Sequence, residues 1–117
     1  MSFRGTTVVF TRRLDGALIG YQAEGHSGYA YAGADIVCAA VSALTQSTLN
    51  GLQNVLKAPV MFEIDDRRAF IEAELTPEAT EEQIAQAQLL LETLLQGLQA
   101  IQRGYPRNVR IIFKERR

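Results

Sequence analysis

The chain has 117 residues but only one cysteine, one histidine and three prolines, and it has no tryptophan. A single cysteine cannot form a disulfide within the chain. One cysteine and one histidine supply at most two of the four ligands of a structural zinc site, which argues against a zinc centre. The length suits one domain with a modest core, so we expect residues 1–117 to form a single domain.

The chain also lacks an excess of charge of either sign and long apolar runs. Twelve lysines and arginines against thirteen acidic residues give a formal net charge of -1, so bulk charge does not attract nucleic acid. No run approaches the roughly 18 apolar residues of a membrane span. The first twenty residues carry charges where a signal peptide would be apolar. We therefore expect a cytoplasmic protein without membrane or direct nucleic-acid partners.

Two pairs of β-type runs predict two hairpins. Residues 6–10 and 17–21 flank the pair Asp15-Gly16, which is a strong turn signal. Residues 59–64 and 69–75 flank a charged turn, and the second of these runs alternates apolar with acidic residues. Both pairs are therefore expected to form antiparallel strands.

Two helices are predicted from apolar residues that recur at spacings of three and four. The first begins with Asp35 as its N-cap and runs to about residue 55. The second follows the capping-box pattern Thr80–Gln83 and ends at Gly104. A last strand over residues 109–113 completes the order ββαββαβ. This order predicts a two-layer α+β fold, with two helices on a five-stranded sheet.

The only cysteine lies near the predicted start of the first helix. If this helix begins at Asp35, its core-facing stripe is centred near Ala40 and Leu44. At about 100° per residue, Cys38 then points roughly 130° away from that stripe. Asp35 and Ser42, three residues before and four after, are its helical neighbours, so this flank is polar. The pattern predicts that Cys38 is not a core thiol.

The predicted position of Cys38 favours a reactive thiolate. Unpaired N–H groups and the positive end of the helix dipole stabilise an anion in the first turn. An imidazolium nearby lowers a cysteine pKa further, and His26 is the only imidazole in the chain. Asp35 either orients that imidazole or only caps the helix. A cysteine that fills space and a solvated histidine are the simpler alternative.

The residues around Cys38 resemble the signature of a known family. Gly25-His26, Gly33 and the run DIVCAAVSAL over residues 35–44, with twelve residues from His26 to Cys38, are similar to the ribosomal-processing cysteine protease family (Prp-type). The resemblance implies a bacterial cytoplasmic endopeptidase that removes a short N-terminal extension from a large-subunit ribosomal protein. It also implies a homodimer and a reaction that requires no metal or cofactor.

The resemblance assigns roles to individual residues. It implies that Cys38 is the nucleophile and His26 the general base, while Asp35 and Ser42 occupy matching positions with supporting roles. The thiolate attacks the scissile carbonyl, an acyl-enzyme forms, and water activated by His26 releases the product. Ser27 stands where the family has a small alanine, which affects loop packing and not the chemistry.

Residues 25–34 are predicted to form a mobile loop, because they are Gly, Ala, Ser and Tyr apart from the histidine. Tyr29 and Tyr31 in this loop either close over an extended peptide or pack on the surface. Backbone N–H groups at the start of the helix, with one from the loop, are the expected oxyanion donors. The predicted substrate-loop residues are Gly25, Gly28, Tyr29, Tyr31 and Gly33.

Leucines beyond the core stripe of the second helix predict a surface for the implied dimer. The expected stripe consists of Ile84, Ala87, Leu91, Leu94, Leu98 and Ile101. Leu89, Leu90 and Leu95 fall outside it. Exposed apolar residues of this kind are often buried at a symmetric contact.

Two other functions use the same residues. In a non-catalytic ribosome-associated binding module, Cys38 and His26 would only line a groove. A thiol redox sensor would need a resolving thiol, and the chain has no second cysteine. Retention of both reactive groups at the family spacing favours the protease.

Overall fold

A computed structural model describes residue 3, residues 5–25 and residues 32–116, with the backbone alone for residues 32–35. The described elements follow the predicted order ββαββαβ, in an α+β fold. Their bounds are β1 Thr6–Arg12, β2 Leu18–Glu24, α1 Ala32–Asn50, β3 Val60–Asp65, β4 Phe70–Leu75, α2 Glu81–Gly104 and β5 Val109–Glu115. A π-helical turn, Gly51–Val55, continues α1. No described helix is long and apolar enough to cross a bilayer.

The five strands form one mixed sheet in the order β3-β4-β2-β1-β5. The pairs β1–β2 and β3–β4 are antiparallel, which confirms both predicted hairpins. β2 and β4 pair antiparallel at the centre. β5 pairs parallel with β1, from Thr6 opposite Val109 to Arg12 opposite Glu115. The sheet therefore combines two hairpins with one parallel edge strand.

Both helices lie on one face of the sheet. On that face Phe10, Tyr21 and Ala73 form one cross-strand row, and each is at most 2% exposed. The Tyr21 hydroxyl donates to the Thr45 carbonyl of α1 at 2.6 Å, which fixes the helix over the centre of β2. At the end of the same row Phe62 is 50% exposed. The helices thus cover the central strands and leave the β3 edge open.

α1 begins earlier than the sequence predicts. Its first residue is Ala32, so Asp35 is the fourth residue of the helix and not its N-cap. The predicted loop consequently ends before Ala32, and Gly33 lies in the helix. Alanine is the best helix former, and a single glycine costs only about 1 kcal/mol. These propensities extend the helix past the capping signal at Asp35.

α2 is formed as predicted at its start. The Gln83 amide donates to the Thr80 hydroxyl at 3.0 Å, and the Thr80 amide donates to the Gln83 side chain at 2.9 Å, so the capping box is complete. Its leucines differ in part from the prediction: Leu89 is 76% exposed, Leu90 is half-buried, and Leu95 is buried in the core. Leu95 is therefore not available for a dimer contact.

Candidate active site

The end of β2 is held by hydrogen bonds to neighbouring strands. The Gly25 amide donates to the Ala69 carbonyl at 3.2 Å, and the Gly25 carbonyl accepts from the Thr6 hydroxyl at 2.9 Å. Gly25 has φ 98°, a conformation that side-chain-bearing residues rarely adopt. A Cβ there would also lie 3.1 Å from the Gly5 carbonyl oxygen. The backbone conformation of Gly25, the residue before His26, is therefore fixed by these two hydrogen bonds.

Cys38 lies closer to the core than the sequence predicts. The buried residues of α1 include Val37, Val41, Thr45 and Leu49, which centre the core-facing stripe between Val41 and Thr45. At about 100° per residue, Cys38 is roughly 40° from this centre and not 130°. The prediction that Cys38 points away from the core is wrong. Cys38 is nevertheless only half-buried.

Burial decreases toward the start of α1, which explains the partial exposure of Cys38. Thr45 and Leu49 point in nearly the same direction as Cys38 and are 0% and 3% exposed. Cys38 lies seven residues before Thr45, about 10 Å closer to the start of the helix. The contact with Tyr21 places Thr45 over the centre of β2. Six residues join Gly25 to the first residue of α1, and a chain of that length is too short for α1 to start beyond the opposite end of β2. Cys38 therefore lies toward the end of β2 that carries Gly25.

α2 lies on the opposite flank of α1 from Cys38. A Cβ added at Gly97 of α2 would lie 3.0 Å from Leu44, and one added at Gly51 would lie 3.0 Å from Leu90. These contacts place α2 on the Leu44 side. Cys38 is turned by about 120° from Leu44 around the helix axis. The thiol therefore faces away from α2, between the sheet and solvent.

Cys38 also lies one turn further from the helix start than predicted. With Ala32 as its first residue, the amides of α1 that have no partner within the helix are those of residues 32–34. The effect of the helix dipole falls off within this first turn. The prediction that Cys38 lies in the first turn of the helix is therefore wrong.

The other predicted site residues differ in what the structure describes. Ser42 is exposed one turn after Cys38, and its hydroxyl accepts from the Gln46 side-chain amide at 2.8 Å. Asp35 and Gly33 lie in α1 by their backbone. Their supporting and substrate-contact roles stay predictions. Outside the described residues lie His26, Gly28, Tyr29 and Tyr31.

Charged side chains at this end of the sheet lie on the face opposite the helices. Glu24 accepts from the Arg68 guanidinium at 3.0 Å, and this hydrogen bond raises the pKa of Arg68. The same guanidinium stacks over the Phe70 ring at 4.3 Å. Glu24 alternates with Ala23, which faces the helices. This ion pair therefore stabilises the sheet from behind and does not face Cys38.

A groove of about 570 Å³ lies at the other end of the sheet. Its lining includes Arg13, Asp15, Met61, Glu81, Ile84 and Arg116. The groove does not include Cys38, the only thiol of the chain. Within the described ranges, no group of three or more metal-ligating side chains is close enough to hold a metal ion.

Comparisons with known proteins give one family. The family model described as Cysteine protease Prp matches residues 6–110. The ribosomal processing cysteine protease Prp of Bacillus subtilis is 27% identical over 100 residues, covering 86% of this chain and 89% of its own. The Staphylococcus aureus protein of the same name is 29% identical over 108 residues, covering 92% and 98%.

Solved structures show the same fold. SMU.848 from Streptococcus mutans matches with a TM-score of 0.81 and 28% identity, covering 96% of each chain. An essential ribosomal processing protease Prp from S. aureus, in complex with a substrate peptide, matches with a TM-score of 0.80 and 27% identity, covering 93% of this chain and 99% of its own. The relatives found by sequence and the solved structures therefore each match at least 86% of this chain.

Proposed function

Because the chain belongs to the Prp family of cysteine proteases, we propose that it removes an N-terminal extension from a large-subunit ribosomal protein by a Cys38–His26 dyad. The single observation that carries this proposal is the position of the only thiol. Cys38 is half-buried on the core-facing side of α1, toward the sheet end where Gly25 leads into His26. A partly accessible thiol and an imidazole are the two groups that a cysteine protease needs, and the chain has one of each.

The proposed reaction is acyl transfer in two steps. His26 takes the proton from the Cys38 thiol, and the thiolate sulfur attacks the scissile carbonyl carbon. His26 then gives that proton to the leaving amine, which leaves the extension bound to Cys38 as a thioester. Water attacks the thioester carbonyl, His26 takes a proton from it, and the C–S bond breaks. The extension leaves with a new C-terminal carboxyl group, and the proton on His26 returns to the Cys38 thiolate. All protons therefore pass through one imidazole.

The oxyanion of the tetrahedral intermediates needs hydrogen-bond donors. The amides of α1 without a partner inside the helix belong to residues 32–34, about one turn before Cys38. Side chains on a helix lean toward its N-terminus, so the Cys38 side chain leans toward these amides. We assign the oxyanion donors to this turn.

The substrate assignment draws support from the relatives. Those of B. subtilis and S. aureus are named ribosomal processing proteases, and one S. aureus relative was solved with a substrate peptide. These names favour the enzyme over the non-catalytic binding module. The mature ribosomal protein and its extension are accordingly the partners we propose, in the cytoplasm.

A homodimer is part of the same proposal. Leu89 on α2 is 76% exposed, and Met61 and Phe62 on the edge strand β3 are 64% and 50% exposed. Large apolar side chains at two open surfaces favour self-association. Sedimentation that shows a monomer at high micromolar concentration would contradict the dimer.

A cleavage assay tests the proposed function. The purified protein is incubated with the extended ribosomal protein, and the product mass is followed over time. Wild type and Ser47→Ala, a control on the exposed side of α1, should yield a product that lacks its N-terminal extension. His26→Ala should yield almost none. Turnover by His26→Ala at the wild-type rate would contradict the dyad.

A further inference from the structure

Four chain segments meet where β2 ends. The Thr6 amide donates to the Asn108 carbonyl at 2.8 Å, and the Gly25 amide donates to the Ala69 carbonyl at 3.2 Å. The Thr6 hydroxyl joins these two pairs, because it donates to the Gly25 carbonyl at 2.9 Å. We call the set Gly5, Thr6, Gly25, Ala69 and Asn108 the Gly25 corner. Its contacts are between backbone groups, with one side-chain hydroxyl as the exception.

That hydroxyl occupies a position where an apolar residue would suit the burial. Thr6 is 4% exposed and faces the helix layer, on the same side of β1 as Val8 and Phe10, which are fully buried. Valine has nearly the shape of threonine, and both residues are enriched in strands. Burying a hydroxyl costs free energy unless it is hydrogen-bonded. The bond to Gly25 is therefore what threonine provides here and valine would not.

The Gly25 carbonyl belongs to the peptide unit that joins Gly25 to His26. A peptide unit is planar, so fixing its oxygen fixes the orientation of the whole unit. On the other side of the residue, the Gly25 amide is held by its hydrogen bond to the Ala69 carbonyl. With both sides held and φ at 98°, the direction in which the chain leaves β2 is determined by two hydrogen bonds.

We propose that Thr6 is a positioning residue, whose hydroxyl orients the peptide unit that leads into His26 and thereby aims the general base at Cys38. This inference rests on the proposed dyad. A general base must lie within hydrogen-bond reach of the proton it takes. Displacement by about 1 Å lowers rates by up to a hundredfold. Loss of the hydroxyl therefore acts on catalysis through His26, without Thr6 contacting the substrate.

The test compares variants that keep or remove the hydroxyl. Thr6→Val and Thr6→Ala remove it, and Thr6→Ser retains it. Thr11→Val is the matched control, because Thr11 lies on the same strand, is equally buried at 3% exposed, and lies opposite Gly20, away from the corner. Each variant is measured for kcat and KM on the extended ribosomal protein. The rate of Cys38 alkylation by iodoacetamide is measured between about pH 5 and pH 9, where histidine and cysteine titrate.

We expect Thr6→Val to lower kcat by about tenfold or more and to leave KM within about twofold, because proton transfer is misaligned while binding is kept. Its alkylation profile should move toward that of His26→Ala. Thr6→Ser should restore both, and Thr11→Val should match wild type in both. Thr6→Ala should behave like Thr6→Val and provides the same test if the valine variant does not fold.

The results separate this inference from the proposed function. Wild-type kcat and an unchanged alkylation profile in Thr6→Val would overturn the positioning role while leaving the dyad intact. Equal losses in Thr6→Val and Thr11→Val, in step with the fraction unfolded, would also overturn it. Undiminished turnover by Cys38→Ala or His26→Ala would instead contradict the dyad itself.

Discussion

The two ends of the sheet are held in different ways. At the Asp15 end, Arg13 binds Asp15 at 2.7 Å and Glu81 at 2.9 Å, all at the surface. At the other end, the Gly25 corner is joined by backbone hydrogen bonds and one buried hydroxyl. Both ends also share features: the Arg13 amide donates to the Ala17 carbonyl at 2.8 Å at the Asp15 end, and Arg68 pairs with Glu24 at the other. What distinguishes the Gly25 corner is the buried Thr6 hydroxyl. The Gly25 end is also the one toward which Cys38 lies.

The largest expected effect on cleavage comes from removing the Cys38 thiol. Cys38→Ala should lower cleavage by at least about a thousandfold, because it removes the nucleophile. The side chain is only half-buried, so the free energy of unfolding should change by no more than about 1 kcal/mol. Cleavage rate and urea unfolding of the same preparation measure both. An inactive variant that also unfolds would indicate a structural thiol.

A matched pair of glycines tests whether the two ends differ in function. Gly25 has φ 98° and Gly16, in the turn at the Asp15 end, has φ 94°. A Cβ at Gly25 would lie 3.1 Å from the Gly5 carbonyl, while nothing lies within 4 Å of one at Gly16. Alanine at either position should cost about 1–2 kcal/mol of stability because of the left-handed backbone.

Activity should distinguish the two substitutions. Gly25→Ala should lose at least about tenfold in kcat, since it displaces the chain that leads into His26. Gly16→Ala should keep the wild-type kcat at a temperature where both are folded. Equal kcat values for the two folded variants would remove the functional distinction between the ends.

Tyr21 lies between the two ends and connects the helix layer to the sheet. Tyr21→Phe removes the 2.6 Å hydrogen bond to the Thr45 carbonyl and should cost about 1 kcal/mol in the free energy of unfolding. Burial raises the pKa of the Tyr21 hydroxyl, so the bond persists through neutral pH. Chemical denaturation of both proteins measures the loss. An unchanged free energy of unfolding would mean that packing alone holds α1 against the sheet.

The smallest expected effect is at the Asp15 end. The hydrogen bond from Arg13 lowers the pKa of Glu81, and the Ala17 amide and then Arg13 lower that of Asp15. A lowered folded-state pKa stabilises the fold above the unfolded pKa, and this contribution is lost as the pH falls through the folded value. Arg13→Gln should therefore lower the thermal midpoint slightly at pH 7.

The same difference in thermal midpoint should shrink below about pH 4, where the carboxylates are protonated. It should also shrink in high salt, because exposed pairs are screened. Cleavage should be unaffected. A loss of activity in Arg13→Gln would mean that the Asp15 end also contributes to the site.

Elements encoded by local signals were predictable from the sequence. The capping box at Thr80 and the turn signal at Asp15 act within a few residues, and both structures formed as predicted. The start of α1 was not, because the alanines before Asp35 extend the helix past its capping signal. Local rules therefore gave the element order but not this boundary.

The orientation of Cys38 was missed because apolar character alone defined the core stripe. The predicted stripe was centred near Ala40 and Leu44, which are only half-buried, whereas Thr45 is fully buried and accepts a hydrogen bond from Tyr21 through its carbonyl. The Gly25 corner could not be predicted, since its five residues are spread from Gly5 to Asn108. Only the positive φ of Gly25 had a sequence signal, in the glycine itself.

The most direct test of the central claim is the chemical identity of the reaction intermediate. The protein is mixed with the extended ribosomal protein, quenched in acid within the first turnover, and mapped by mass spectrometry. We expect a thioester on Cys38 whose added mass equals the acyl group of the released extension, and no adduct in Cys38→Ala. An adduct on another residue, or cleavage at the wild-type rate without Cys38, would contradict it.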